Sequence, residues 1–442
     1  MQRRYGLPTA MTMVVGIVIG SGIFFKSDAI LRDTGGNILL GCALFLIAAL
    51  SIVFGGLTLA QLAARTDDPG GITAYAGEFV GEKFGSAMGW FQTFVYLPSL
   101  VSVVSYASGM YICQLFGWSF GSSAVSIGVW CGIGGGMTLL FFLMNILSAK
   151  LGGYFQNCAT VLKLIPLFVL AVAGLIWGEP AQVLSQSAAH LSAPINWLAG
   201  IGAVAFAFDG WVVSTSICHE LKNSKRNLPF ALTFCPIFIL IVYIAYFVGL
   251  SSLVPPSEID PATPQVYQAA RALFGGFGAK LVLIFVVISM LGTLNGMVLG
   301  SIRLPHSLAV SGRLPQNYAQ WNSRFDMPLR SALLALATSL LWIALHFVTQ
   351  EFGLIGNSDV SEAAILLNYV LLCVLYCKVI KLEGRKHPVK GIVIPLLAVT
   401  GALVIFFGAL GKPILLLYQV MYAVVLYAGY RFANHRAAES HR

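Results

Sequence analysis

Long runs of apolar residues, separated by short polar or glycine- and proline-containing stretches, fill almost the whole chain. Most runs have the roughly 20 residues that an α-helix needs to cross the hydrocarbon core of a bilayer. The pattern therefore predicts an all-α, polytopic membrane protein with twelve transmembrane helices. The predicted spans are Leu7–Phe25, Ile38–Ala64, Gly85–Gln114, Ala124–Ile146, Leu151–Trp177, Ile195–Ile217, Leu228–Val254, Lys280–Leu299, Ser331–Phe347, Glu362–Val379, Gly391–Leu410 and Pro413–Tyr430.

Two of these spans are interrupted by small residues near their middle. Gly20-Ser21-Gly22 lies in the first span and Phe208-Asp209-Gly210 in the sixth. Of the 26 basic and 17 acidic residues, only Lys163 and Asp209 are expected at membrane depth. Ionisable side chains there are energetically costly and usually functional. Broken helices at corresponding positions of two halves indicate the binding site of a transporter.

Composition and charge support the same class of protein. The chain is 58% hydrophobic and 10% charged, whereas soluble domains have about 25% charged residues. The net charge of +9 does not require nucleic acid as a partner, because the basic residues are unevenly placed. Five lie on the side opposite the termini, and all others except Lys163 fall on the side of the termini; the five are Lys26, Arg32, Arg271, Lys280 and Lys412. This bias predicts a multi-pass protein with both termini in the cytoplasm.

The parity of the spans divides the chain into two units. Spans one to five (7–193) and spans six to ten (194–380) are each odd in number, so the two units insert with opposite orientations. An inverted-topology repeat requires this relationship. Helices eleven and twelve (381–433) are extra, and residues 1–6 and 434–442 are the cytoplasmic terminal segments.

Several motifs resemble those of a known transporter family. They are Gly16-Ile17-Val18-Ile19-Gly20-Ser21-Gly22-Ile23-Phe24, Phe206-Ala207-Phe208-Asp209-Gly210-Trp211, and His219-Glu220-Leu221-Lys222-Asn223 with Arg226-Asn227-Leu228-Pro229. Together they make the chain similar to the L-type amino acid transporter branch of the amino acid–polyamine–organocation superfamily. Within that branch the chain resembles bacterial serine/threonine and alanine/serine/cysteine exchangers, which implies a location in a bacterial inner membrane. The resemblance implies a LeuT-type 5+5 inverted repeat with broken helices 1 and 6.

Two departures from the branch affect the expected function. Many members have a small residue at the position of Asp209, and members with Asp there include carriers of both cationic and neutral amino acids, so the position does not settle substrate charge. Mammalian members join a heavy chain through a Cys in the loop after the third span. Residues 115–123 contain no Cys, and no covalent heavy-chain partner is expected.

The interruptions offer complementary groups to a zwitterionic amino acid. Unwound backbone at a half-helix N-terminus leaves N–H groups that bind an anion without a cationic side chain. The substrate carboxylate is therefore assigned to Ser21, Gly22 and Ile23. The substrate ammonium is assigned to freed carbonyls near Val18, Phe206 and Ala207, together with Asp209. Taken alone, Gly20-Ser21-Gly22 is equally consistent with close helix packing.

Three assignments remain open between a functional and a structural role. The resemblance places Lys163 where sodium-coupled relatives bind a cation, bridging span-one carbonyls near Gly16 or Ile17 to a span-eight hydroxyl such as Ser289. Sodium coupling would then be absent, whereas a lysine that snorkels to an interface would have no such role. Phe206 is either a gate or an ordinary core aromatic. Asp209 accepts from the substrate ammonium, pairs with a basic substrate side chain, or caps broken backbone.

The sequence predicts a sodium-independent exchanger of small neutral L-amino acids (Ala/Ser/Thr/Cys-like) that works by alternating access. The alternatives are a cationic or broad-range amino acid carrier and a proton-coupled symporter. A channel would need a continuous polar stripe along a pore. An intramembrane enzyme would need a catalytic motif, and the sequence contains no His-Glu-x-x-His or comparable pattern. No cofactor and no metal are expected.

Overall fold

The computed structural model describes residues 7–66, 71–186, 195–212, 223–259, 263–354, 356 and 358–440. Within these ranges the fold is helical, and the β-structure described there is one isolated bridge between Asn322 and Met327. The α-helices are α1 Leu7–Val18, α2 Ser21–Asp33, α3 Ile38–Ala63, α4 Ile72–Tyr75, α5 Glu82–Phe91, α6 Leu97–Phe116, α7 Ser123–Leu147, α8 Ala149–Leu162, α9 Leu164–Trp177, α10 Pro180–Gln186, α11 Trp197–Ala207, α12 Ser224–Leu253, α13 Gln265–Val310, α14 Leu329–Glu351, α15 Asp359–Glu383, α16 Ile394–Phe407 and α17 Pro413–Ser440.

Ten helical segments in the described ranges are long and apolar enough to cross a membrane. An eleventh results if Val14–Phe24 and Lys26–Asp33, which lie at 62° to each other, form one bent span. The predicted sixth span is described only as α11 and the residues up to Val212, since 213–222 lie outside the described part. The all-helical membrane fold is therefore confirmed, while the count of twelve and the inverted repeat stay predictions.

Several helices extend beyond the apolar runs that predict them. Helix α13 begins at Gln265, before the predicted span, and bends at Gly275, whose φ of 68° is left-handed. Helices α14 and α15 likewise end in polar residues such as Glu351 and Glu383. The length of an apolar run matches the thickness of the hydrocarbon core of the membrane, whereas the hydrogen bonds of the helix backbone can continue into the polar region. The sequence thus predicts the positions of these spans better than their ends.

The third span contains an irregularity that the apolar pattern does not reveal. This span, Glu82–Phe116, includes a π-helical turn at Gln92–Tyr96, and π turns are frequent at functional sites. The fifth span, Leu151–Trp177, is continuous past Lys163, which lies between α8 and α9 with helical dihedral angles and donates its backbone N–H to the Ala159 carbonyl.

The interrupted helices lie among the long helices of the bundle. Helix α11 packs against α2, α3 and α15, while α1 packs against α12 and α13. Helix α12 in turn packs against α3 and α9, and α13 packs against α6 and α8. One contiguous buried apolar cluster includes residues from the interrupted helices and from α3, α6, α12 and α15. Both helix interruptions are therefore inside the protein.

Candidate functional site

The two interrupted helices touch each other at their breaks. A Cβ added to Gly22 would lie 2.7 Å from the Ala207 Cα and 3.2 Å from the Phe206 carbonyl oxygen. A Cβ added to Gly210, whose φ is 94°, would lie 2.5 Å from Ile17 Cγ2. Real Cβ atoms do not approach other heavy atoms so closely, so glycine is needed at both positions. The sequence-predicted breaks therefore form one shared site.

The predicted carboxylate-binding residues lie at the start of α2. This helix begins at Ser21, so the N–H groups of Ser21, Gly22 and Ile23 belong to its first turn. The first N–H groups of an α-helix have no acceptor within the helix, and the helix dipole favours an anion there. Gly22 and Ile23 are buried, and the Ser21 side chain lies outside the described residues. This half-helix end can accept a buried carboxylate.

The predicted ammonium-binding carbonyls have a protein donor that the sequence did not indicate. The hydroxyl of Tyr243, on α12, lies 3.0 Å from the Val18 carbonyl oxygen and 3.1 Å from that of Ala207. A tyrosine hydroxyl has one hydrogen, which these two acceptors share. Tyr243 therefore links the end of α1 to the end of α11. Each carbonyl oxygen keeps a second lone pair for a ligand.

Phe206 is buried beside a cluster of charged residues. The Lys26 ammonium lies 5.1 Å from the centroid of the Phe206 ring, and Phe206 is 5% exposed. Stacking of a cation on an aromatic face stabilises both in a desolvated site. Phe206 thus connects the meeting point of the broken helices to charges at one end of the protein.

We name the residues Lys26, Ser358, Asp359, Glu362 and Lys412 the ionic cluster. Lys26 donates to Ser358 and Glu362, and Lys412 lies 3.1 Å from Glu362 and 3.3 Å from Asp359. The Lys26 and Glu362 side chains are 4% and 0% exposed. Although burial opposes its charged form, the carboxylates of Glu362 and Asp359 raise the pKa of Lys412. The cluster joins α2 to α15 and to the connection between α16 and α17.

The ionic cluster contains a buried ion pair that the sequence did not indicate. Lys26 and Glu362 are buried, as Lys163 and Asp209 are. The sequence placed Lys26 among the charges of the side opposite the termini, and it did not single out Glu362. Both residues lie near the ends of predicted spans, where charged residues are common. The sequence therefore gave no sign that these two residues, 336 positions apart, form an ion pair.

Lys163 is fully buried and contacts the first span. Its ammonium donates to the backbone carbonyl of Gly16, while Thr160, one helical turn earlier, also packs against Gly16. Ser289 is fully buried too, but its hydroxyl has no hydrogen-bond partner among the described residues. The structure thus brings Lys163 to a carbonyl of α1 and does not show a bond between Lys163 and Ser289.

Asp209 follows the end of α11 and has a side-chain partner on the third span. The Tyr96 hydroxyl lies 2.7 Å from Oδ1 and 2.8 Å from Oδ2 of Asp209. The Asp209 backbone N–H donates to the Phe206 carbonyl. The sequence offered no way to distinguish Tyr96 from the other aromatic residues of an apolar span. Only the fold brings Tyr96 and Asp209, 113 positions apart, into contact.

Both ends of α13 have contacts with charged residues. At its start, the Gln265 N–H donates to Asp28 of α2. At its other end, Arg313 follows the last turn of the helix. Arg313 is 6% exposed, donates to both oxygens of Glu82 and also donates to the Thr73 carbonyl. Charged contacts therefore connect helices on both sides of the central breaks.

The arrangement defines a class of protein. The break between α1 and α2 meets the C-terminus of α11 inside a bundle of membrane-length helices. Tyr243 links backbone carbonyls of α1 and α11 there, and charged contacts lie toward two ends of the bundle. Sites of this construction, at the interface of discontinuous helices, belong to secondary transporters.

The chain belongs to the amino acid permease family, whose model matches residues 5–429. It is 31% identical to the serine/threonine exchanger SteT of Bacillus subtilis over 390 residues, which cover 87% of this chain and 84% of the relative. It is 27% identical to the human b(0,+)-type amino acid transporter 1 over 71% of this chain and 63% of the relative. It is 23% identical to the human cystine/glutamate transporter over 75% of this chain and 66% of the relative. These relatives are transporters, and the chain is a multi-pass amino acid transporter rather than an enzyme.

Proposed function

We propose that this protein exchanges small neutral L-amino acids of the Ala/Ser/Thr/Cys type by alternating access, without sodium. The observation that carries the proposal is the contact between Gly22 and Ala207, which places the N-terminus of α2 against the C-terminus of α11. A zwitterion needs N–H donors for its carboxylate and carbonyl acceptors for its ammonium. Such a junction offers both within one small, buried volume. The similarity to a serine/threonine exchanger supports this substrate class.

The proposed binding residues are those that surround this junction. Ser21, Gly22 and Ile23 bind the carboxylate through their N–H groups. The carbonyls of Val18, Phe206 and Ala207 accept from the ammonium, and Asp209 supplies negative potential beside them. This list is Val18, Ser21, Gly22, Ile23, Phe206, Ala207 and Asp209.

Lys163 takes the place of a coupling cation in this proposal. Its buried ammonium, bonded to the Gly16 carbonyl, provides a fixed positive charge beside the first interrupted helix. A bound sodium ion would supply the same charge to the same kind of acceptor, namely backbone carbonyls near an unwound helix. Ser289, buried on α13, is the proposed hydroxyl partner in another conformation of the cycle.

Phe206 and the ionic cluster form the proposed gate at one end. The cluster joins α2 to α15 above the Phe206 ring, so separation of these helices opens a path from that side. The bias of Lys and Arg predicts that both termini lie in the cytoplasm, and with that orientation this end would face outward. The twelve-helix LeuT-type architecture with two five-helix repeats is part of the same proposal.

Counterflow in proteoliposomes tests the function. Internal serine, alanine or threonine should accelerate uptake of radiolabelled serine, and replacement of sodium by choline should leave the rate unchanged. Serinamide and ethanolamine should compete poorly, since each lacks the carboxylate that the N-terminus of α2 would bind. A strict sodium requirement would contradict the role of Lys163. Equal competition by serine and ethanolamine would contradict the carboxylate assignment.

A second candidate function is a carrier that also accepts cationic amino acids. It is favoured by one observation, the buried carboxylate of Asp209 at the junction. A lysine or arginine side chain could neutralise that charge. Competition by arginine against serine in the same vesicles distinguishes the two candidates.

A further inference from the structure

The buried carboxylate at the junction has a side-chain donor within the protein. Tyr96 Oη lies within 2.8 Å of both carboxylate oxygens of Asp209. Tyr96 is 2% exposed and Asp209 is 9% exposed. Burying a charge without a hydrogen-bond donor is strongly unfavourable. Tyr96 therefore stabilises the Asp209 carboxylate.

The local structure directs Tyr96 toward the site. Tyr96 is the last residue of the π-helical turn Gln92–Tyr96, which precedes the regular helix α6. The first residue of the same turn, Gln92, donates to Asn368 of α15 at 2.8 Å. π turns are uncommon, and they frequently occur at functional sites. This turn thus presents two polar side chains, one to α15 and one to Asp209.

We propose that Tyr96 determines the substrate specificity of this transporter by occupying the Asp209 carboxylate. The inference rests on the proposed amino acid exchange and deepens it. A neutral substrate leaves the bond between Tyr96 and Asp209 intact. A basic side chain that pairs with Asp209 has to displace the tyrosine hydroxyl or share the carboxylate with it. Tyr96 is a positioning residue that makes the site selective for neutral over basic amino acids.

The first test uses the unmodified protein and two inhibitors of serine exchange. Lysine and norleucine have side chains of similar reach, but only lysine ends in an ammonium. If Tyr96 occupies Asp209, the ammonium gains no partner, and lysine competes no better than norleucine. Lysine competing about tenfold better, the gain expected of a charge-assisted hydrogen bond, would overturn the proposal.

The second test removes the hydroxyl. In Tyr96→Phe, the inhibition constant of arginine divided by that of serine should fall by about tenfold, since Asp209 has lost its side-chain donor. In an Asp209→Asn background, Tyr96→Phe should leave this ratio unchanged, because Tyr96 acts through the carboxylate. If Tyr96 had a purely structural role, Tyr96→Phe would raise the inhibition constants of arginine and serine by the same factor. An unchanged arginine-to-serine ratio in Tyr96→Phe would overturn the proposal. So would a fall of the same size when Tyr96→Phe is made in the Asp209→Asn background.

Tyr111→Phe is the matched control. Tyr111 is a buried tyrosine of the same span, in α6, and its hydroxyl donates to the Phe24 carbonyl at 3.1 Å. Its loss should not alter the arginine-to-serine ratio. If Tyr96→Phe does not fold, the comparison of lysine with norleucine decides alone. If the unmodified protein does not exchange serine, the proposed function itself is wrong. If serine is exchanged but Tyr96→Phe leaves the arginine-to-serine ratio of inhibition constants unchanged, only the proposal about Tyr96 is wrong.

Discussion

Lys163 and Asp209 are both buried charges near the helix breaks, yet they are stabilised in different ways. The Lys163 ammonium donates to a backbone carbonyl, that of Gly16. The Asp209 carboxylate accepts from a side chain, that of Tyr96. A backbone acceptor is present whatever the neighbouring side chain is, whereas the partner of Asp209 depends on one residue. The first interaction therefore suits a permanent link between helices, and the second can be altered by substitution to change specificity.

The largest effect should follow from removing the Lys163 charge. Lys163→Met keeps most of the side-chain volume but loses the bond to α1, and a charged hydrogen bond contributes about 1.5–3 kcal/mol. We expect serine exchange to fall by about 100-fold, as measured by initial rates in proteoliposomes. Lys378→Met, at a half-buried lysine of α15, is the control and should retain exchange. Wild-type rates in Lys163→Met would mean that the link to Gly16 is dispensable.

A smaller effect is expected at Asp209. Asp209→Asn removes the negative charge beside the ammonium but keeps an oxygen that accepts from Tyr96. The inhibition constant of serine should rise by about tenfold or less, with thermal stability close to that of the wild type. Unchanged affinity for both serine and arginine would exclude Asp209 from the substrate site. A drop in stability with unchanged affinity would indicate a capping role.

Tyr243 tests whether an uncharged donor to backbone carbonyls behaves like Lys163. Tyr243→Phe removes the hydroxyl shared by Val18 and Ala207 and retains the ring. A neutral hydrogen bond contributes about 0.5–1.5 kcal/mol, so the exchange rate should fall by roughly two- to tenfold. Tyr376→Phe, at a buried tyrosine of α15, serves as the comparison. A loss as large as that of Lys163→Met would show that tethering, rather than charge, is the important property.

The smallest effect should occur at Ser289. Its hydroxyl makes no hydrogen bond in the described part of the structure, so Ser289→Ala removes no bond from this conformation. We expect exchange to fall by only about two- to threefold, because the hydroxyl bonds to Lys163 in another conformation of the cycle and not in this one. Thr293→Ala, one turn further along α13, is the comparison, since it removes a hydroxyl that does bond here, to the Ser289 carbonyl. Exchange at the wild-type rate in Ser289→Ala would contradict the proposed partnership with Lys163.

The sequence predicts the helical bundle and both breaks because each is encoded locally. An apolar run of sufficient length predicts a span, and Gly20-Ser21-Gly22 or Asp209-Gly210 within such a run predicts an interruption. Tyr96 and Tyr243 could not be distinguished from core aromatics, since a hydroxyl in an apolar run becomes informative only when its acceptor is known. The ion pair between Lys26 and Glu362 could not be predicted either, because the two residues are 336 positions apart and only the fold brings them together. Which residues meet depends on helix packing, which the hydropathy of a single chain does not contain.

The ionic cluster also has a consequence for the order in which the protein is made. Glu362, which pairs with Lys26, follows it by 336 residues, and Lys412 comes later still. At about 5–20 residues per second, a ribosome needs roughly 20 to 70 seconds to reach Glu362 after Lys26 has been synthesised. The closed arrangement of this end therefore cannot form while the chain is being inserted helix by helix. Its assembly has to wait until nearly the whole polypeptide is in the membrane.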